Sequence, residues 1–192
     1  MPAHFVKNLK VPLERVGVLI GRAGEVKRRI EEACRVKLEV NGATGDVTIT
    51  LADDPGEAAP LKAAEIVMAI GRGFSPDRAF SLLEEGWELR VVDLMEYARS
   101  REDLPRVRAR LIGSQGKARR TIEELTGTYV SIYGDTACVV GQHEHAAIAE
   151  EAIRKLASGS PHAAVYSFLQ RMRRTLKLEE LGLWEGKVLG QG

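Results

Sequence analysis

Aromatic residues make up only 5% of the 192-residue chain, cysteine occurs twice, and asparagine appears only as Asn8 and Asn41. Cys34 and Cys138 lie far apart and neither belongs to a Cys-x-x-Cys pair. That excludes a zinc ribbon or a dithiol redox motif and leaves both thiols as small buried apolar residues. No run of about 18 apolar residues exists, so the sequence offers no membrane span. The first residues, Met1 to Phe5, lack the basic-then-apolar pattern of a secretory signal, and the expected compartment is the cytoplasm. Neither Gly-x4-Gly-Lys-Ser/Thr nor Gly-x-Gly-x-x-Gly occurs, which excludes a P-loop and a dinucleotide-binding turn. Scarce asparagine beside abundant arginine and glutamate points to a heat-adapted source.

What is present is an ordinary folded composition, 44% apolar and 29% charged, with length for one large domain or two small ones. The net charge of +1 hides a strong segregation. Residues 1–38 carry net +5, 39–98 net −8, 99–127 net +4, 128–153 net −4 and 154–192 net +4. A polyanion feels the local field and not the total, so the placement of the basic runs matters.

The chain repeats itself. Leu19 to Glu32 (LIGRAGEVKRRIEE) aligns without a gap on Leu111 to Glu124 (LIGSQGKARRTIEE), with eight of fourteen positions identical. Each copy then carries an apolar stripe at helical spacing, Val26, Ile30 and Ala33 or Ala118, Ile122 and Leu125. Two short strand-like runs follow, Val36–Val40 and Val47–Leu51 in copy one, Tyr129–Tyr133 and Ala137–Val140 in copy two, with Gly42, Gly45 and Gly134-Asp135 as turns. Helices over Glu57–Ile70 and His143–Leu156 come next. Each copy opens with a strand, Phe5–Val11 or Trp87–Val92, and a short helix precedes each glycine pair with Pro12 or Pro105 near its start. The pattern predicts an α+β chain of two units, residues 1–82 and 83–192, joined between residues 74 and 87. In each, a three-stranded sheet is packed by helices on one face. Copy two gains about ten residues over Asp93–Arg101 and an added C-terminal helix with Val165, Phe168, Leu169, Met172 and Leu176 on one side. Glu185 to Gly192 are expected to fray.

The paired glycines suggest an anion site. Glycine lets a phosphate approach closely and allows positive φ, and the helix that follows offers free N–H groups and the positive end of its dipole. Lys27, Arg28 and Arg29, or Lys117, Arg119 and Arg120, stand just inside those helices, and Arg106, Arg108 and Arg110 lead into the second loop. From Arg106 to Arg120 there are six cations and no acid. Val18-Leu19-Ile20 and Leu111-Ile112 would floor a groove in which the bases of a single strand are read. No aromatic-rich strand of the RNA-recognition-motif kind appears.

These residues resemble the KH domain, whose signature is Ile-Gly-x-x-Gly before a helix and whose loop clamps about four nucleotides. The element order is similar to the eukaryotic-type (type I) arrangement, in tandem. The run LIGSQGKARRTIEELTGTYVSIYG (Leu111–Gly134) resembles the second KH domain of the small-subunit ribosome-assembly proteins of the Pno/Dim/Krr group, and GSPHAAVYSFL (Gly159–Leu169) resembles that group's C-terminal helix. The resemblance implies an archaeal factor that binds single-stranded RNA in the 3′ region of small-subunit ribosomal RNA. It also implies two protein partners, a Nob-type endonuclease and the alpha subunit of archaeal initiation factor two. Its motif falls on Ile20, Gly21, Arg22, Ala23, Gly24, Lys27 and Arg28 in copy one, and on Ile112, Gly113, Ser114, Gln115, Gly116, Lys117, Arg119 and Arg120 in copy two, with Arg108 and Arg110 beside it. Copy one departs from copy two at Glu25, where copy two has Lys117, which makes it a less attractive phosphate site, either the weaker clamp or a protein-binding face.

No cofactor, metal or catalytic set is expected. His143 and His145, two residues apart, diverge around a helix and read as surface residues. His4 lies near a chain end, and His162 caps or packs a helix. Asp53-Asp54 read as a turn and helix cap, and Glu31-Glu32 and Glu123-Glu124 as solvated. The alternative is a protein-interaction adaptor on KH folds that do not bind RNA; the acidic stretch of residues 39–98 serves either as a docking face or for plain solubility.

Overall fold

The computed structural model describes residues 5–53 and 56–188. In the first repeat β1 (Val6–Lys10), α1 (Leu13–Ile20), α2 (Glu25–Cys34), β2 (Val36–Val40), β3 (Asp46–Leu51) and α3 (Pro60–Gly71) follow in turn. A short helix α4 (Pro76–Phe80) comes before the second repeat. That repeat runs β4 (Trp87–Asp93), α5 (Leu104–Ile112), α6 (Lys117–Thr126), β5 (Tyr129–Tyr133), β6 (Thr136–Gln142), α7 (His143–Ala157) and α8 (His162–Val188). β2 and β5 have the predicted bounds, and the other strands differ by one or two residues. α3 starts later than predicted because Pro60 takes its first position, where a missing N–H costs nothing. α8 continues through Glu185 to Val188, so the expected fraying is corrected there. Residues 189–192 lie outside the described residues, as do His4 and Asp54.

Both sheets are antiparallel with the third strand of each repeat central, in orders β1-β3-β2 and β4-β6-β5. β3 shows the alternation of a half-buried strand, with Val47 and Ile49 inside. β6 does not, for Thr136 through Gly141 are all buried. Ala137 and Val139 face the second repeat's own helices, whereas Cys138 and Val140 join the cluster formed by Ile66, Phe74, Phe80 and Leu82 of the first repeat and its following turns. The second sheet is thus sandwiched between its own helices and those of the first repeat, which explains the unbroken apolar run of this strand. The region expected to be a join is itself core, since Phe74, Ala79, Phe80 and Leu82 are buried.

Polar contacts lock this junction. Ser131 Oγ donates to the Arg72 carbonyl at 2.8 Å. Arg78 reaches Glu123 at 2.9 Å and lies 4.9 Å from the Tyr129 ring centroid. The Tyr133 hydroxyl bonds Glu14. Gly73, at φ +100°, is needed there, because a Cβ would stand 2.6 Å from Ser131 Oγ.

Candidate nucleic-acid interface

The two glycine loops have one geometry. Gly21, Ala23 and Gly24 have φ of 74°, 51° and 79°, against 72°, 51° and 76° for Gly113, Gln115 and Gly116. In each, the second glycine's N–H bonds the first glycine's carbonyl, at 3.2 Å and 3.1 Å. The first glycine also closes the preceding helix, bonding Gly17 or Ala109 at 2.9 Å. Ala23 and Gln115 sit in the left-handed region, which costs a residue with a Cβ of order 1–2 kcal/mol. That twice-repeated strain marks a built loop and not a plain turn. Around the second glycines, Gly24 and Gly116, space is open, with only Arg120 Nη1 within 4 Å of an added Cβ at Gly116.

The helix after each loop lies over an edge strand. Oε1 of Glu31 accepts the Leu38 N–H and Oε1 of Glu123 accepts the Val130 N–H, both at 2.8 Å. These carboxylates were expected to be solvated. They instead satisfy outward donors of β2 and β5, the usual hazard of a sheet edge. Glu32 and Glu124 are exposed as read.

Several cations of the predicted site are engaged within the fold. Lys27 pairs with Glu31 at 3.6 Å and Arg119 with Glu123 at 3.3 Å, again at matching positions. Arg28 donates to the loop carbonyls of Ala23 at 3.1 Å and Gly24 at 3.4 Å, bracing the strained turn. Arg29 stacks on Phe80 at 3.8 Å and meets Asp77. The run from Arg106 to Arg120 is less free than its charge count. Arg106 forms a fork with Asp103 at 2.6 and 2.8 Å, which holds that carboxyl far below its ordinary range. Arg110, expected beside the phosphates, is turned into the fold, for Nε and Nη2 donate to the carbonyls of Leu156 and Ser160 at 3.0 and 2.7 Å. Lys117 and Arg120, with Arg22 in the first loop, make no ion pair among the described residues and are free to meet an anion. Arg108 is half-buried, and its Nε is buried without a hydrogen-bond partner. Ile20 and Ile112 are half-buried ahead of the loops, but Leu19 and Leu111 are core residues and floor no groove.

Other expected candidates resolve as structure. Cys34 and Cys138 are buried and unpaired, as read. His145 Nδ1 stands 2.6 Å from the Thr126 carbonyl, at the end of α6, and is more than a surface residue, while His143 meets Glu88 at the surface. His162 Nε2 lies 2.9 Å from the Arg110 carbonyl. Asp53 pairs with Lys37 at 2.8 Å and does not cap a helix. Among the described residues no three His, Cys, Asp or Glu side chains are placed to hold a metal, and no helix is long and apolar enough to cross a membrane. Sequence reasoning missed Tyr166, which α8 sets beside the second loop. Its signal lay in the position three residues before Leu169 and one after Val165, on the flank of the apolar stripe.

Residues 6–67 match the KH domain, and residues 88–174 match the eukaryotic type KH-domain (KH-domain type I) of the second PNO1 repeat. The chain is 46% identical to the KH domain-containing protein MJ0443 of Methanocaldococcus jannaschii, over 95% of this chain and 80% of that one. It is 42% identical to aDim2p of Pyrococcus horikoshii, in a structure solved as a complex with a/eIF2alpha and rRNA. That match has a TM-score of 0.83 over 91% of this chain and 97% of the other. An Aeropyrum pernix protein of unknown function matches at 39% identity and a TM-score of 0.88, over 95% and 98% of the two chains. Two loops of one geometry, two sheets of one topology and relatives that span nearly its whole length place the chain in the tandem KH-domain family of archaeal Dim2 and eukaryotic PNO1 proteins.

Proposed function

We propose that the chain binds single-stranded RNA through its Gly-x-x-Gly loops and serves small-subunit ribosome assembly by holding the 3′ region of the ribosomal RNA. It works by binding alone, without catalysis, in the cytoplasm. The observation that carries this reading is the second loop. Gly116 leaves open space at the start of α6, and Lys117 and Arg120 flank it without an ion pair. Phosphate fits there at the start of α6, against the positive end of the helix dipole and two unspent charges. The first loop has the same backbone but Glu25 where the second has Lys117, so it is the weaker clamp. The functional units run over residues 1–82 and 83–192. The alpha subunit of archaeal initiation factor two is a partner by likeness to the Pyrococcus complex. A Nob-type endonuclease is a partner by family resemblance.

The test is binding of a labelled oligonucleotide from the 3′ end of small-subunit ribosomal RNA, against scrambled RNA and matched DNA. Ser114→Asp with Gln115→Asp is expected to weaken binding by about tenfold or more and to flatten its salt dependence, because acids then face the phosphates. Asp tolerates the left-handed backbone at Gln115, so the fold survives. Arg22→Asp with Ala23→Asp is expected to cost less. If neither pair changes binding, or the wild-type chain binds no RNA, the KH units are scaffolds and an adaptor role replaces this one.

A further inference from the structure

α8 does more than cover α6 and α7. Its first two turns bring His162 and Tyr166 against the outer side of α5 and the start of α6. With Arg106, Ala109, Gly113 and Lys117 they border a cleft of about 570 Å³, a size that suits a small ligand. The cleft's wall is fixed by the fold. Arg110 Nη2 bonds the Ser160 carbonyl at 2.7 Å, and the Arg110 carbonyl lies 2.9 Å from His162 Nε2. The His162 ring in turn meets the Tyr166 ring edge-on, centroids 6.1 Å apart at 68°. Tyr166 is half-buried. A ring held in this way loses little freedom when something stacks on it.

The lining has the two halves of a nucleotide's chemistry. Ala109, Gly113 and the Tyr166 ring are apolar and shallow, as a base requires. Lys117 stands at the edge with no ion pair among the described residues, and Arg106 beside it shares its charge with Asp103. The cleft is continuous with the second loop, because Gly113, Ser114 and Lys117 belong to both. Farther along the same flank of α8, Arg173 and Lys177 are exposed, seven and eleven residues beyond Tyr166 and so roughly 10 and 16 Å away. Among its described residues the first repeat has no such cleft-side ring. Its α4 has five residues, and the face of Phe80 is already covered by Arg29.

We propose that this cleft is a nucleotide subsite that lengthens the RNA path beyond the second Gly-x-x-Gly loop, Tyr166 stacking the base and Lys117 meeting its phosphate. The inference rests on the RNA-binding reading above and adds a length requirement to it. A strand long enough to leave the loop and enter the cleft gains affinity, and one confined to the loop does not.

The experiment compares ribosomal RNA 3′-region oligonucleotides of four nucleotides with versions extended by two at one end or the other, on the full chain. Wild type is expected to bind one of the extended forms about tenfold more tightly, the effect of one added base stack. Tyr166→Ala is expected to lose that gain and keep the four-nucleotide affinity, whereas Tyr166→Phe keeps the gain. A 2-aminopurine at the added position is expected to be quenched by wild type and Tyr166→Phe and not by Tyr166→Ala. Thermal melts confirm that both variants fold. If Tyr166→Ala retains the full length-dependent gain, or 2-aminopurine is quenched equally by it, the subsite is wrong although RNA binding stands. If wild type binds no oligonucleotide of any length, both readings fall together.

Discussion

At the residue scale, the two glycines of each loop have different work. The first packs against its own helix, for a Cβ on Gly113 would stand 2.7 Å from the Ala118 nitrogen, and one on Gly21 would stand 2.8 Å from that of Val26. The second is required by its backbone alone, since its surroundings are open at φ near +76° to +79°. Gly113→Ala therefore combines a steric clash with left-handed strain and is expected to cost about 3 kcal/mol of stability. Gly116→Ala bears the strain alone, about 1 kcal/mol. Urea denaturation of the two variants measures this, and equal costs would show that the loop relaxes around the methyl group. The sequence reveals the glycine pair because only this residue suits positive φ, but it does not reveal which glycine serves packing, since that depends on where Val26 and Ala118 come to rest. The same limit applies to charge. Counting from Arg106 begins one helical turn too late to include Asp103, the acid three residues earlier that occupies Arg106.

At the scale of elements, the arginine that precedes each loop is a strap. Arg15 in α1 donates to the carbonyls of Ile70 and Phe74 at 2.8 and 2.6 Å, as Arg110 in α5 does to Leu156 and Ser160. α3 and α7 both give way to a glycine at φ near +100°, Gly73 and Gly159, whose N–H groups bond the Ile70 and Leu156 carbonyls, and the fork adds a second donor there while its charge suits the negative pole of the helix. The repeat conceals this device. In the gapless alignment Arg15 matches Val107 and Arg110 matches Val18, so an equivalent contact is made from non-equivalent positions. The order of elements, by contrast, was readable, because helical and strand periodicity are local. Arg110→Met is expected to lower stability by about 1–2 kcal/mol and to speed hydrogen exchange in the last turn of α7, by removing two hydrogen bonds from a half-buried site. The salt dependence of RNA binding should stay as in wild type. A slope smaller by about one would return Arg110 to the phosphates.

For the whole molecule, the decisive feature is the shared layer. Cys138 and Val140 on β6 belong to the first repeat's core, so the two KH units cannot part without exposing the second sheet. Single-sequence reading placed a join here and could not see it as packed, because the run Ala137 to Val140 is equally consistent with a strand buried on one face or two. The two thiols report on this arrangement independently. Cys34 lies within the first repeat, and Cys138 lies where the repeats meet, both fully buried. Burial pushes both thiols up to about 11, so at neutral pH almost none of either is thiolate and labelling requires opening of the structure. If the layers form one cooperative unit, both cysteines are labelled in native conditions with the same opening free energy, equal to that of global unfolding. If the repeats instead separate as intact domains, Cys138 reacts first, at a lower opening free energy, while Cys34 stays protected. Thiol-exchange rates measured site by site decide between these, and an early Cys138 would mean that the second sheet is uncovered in a state that still holds both glycine loops.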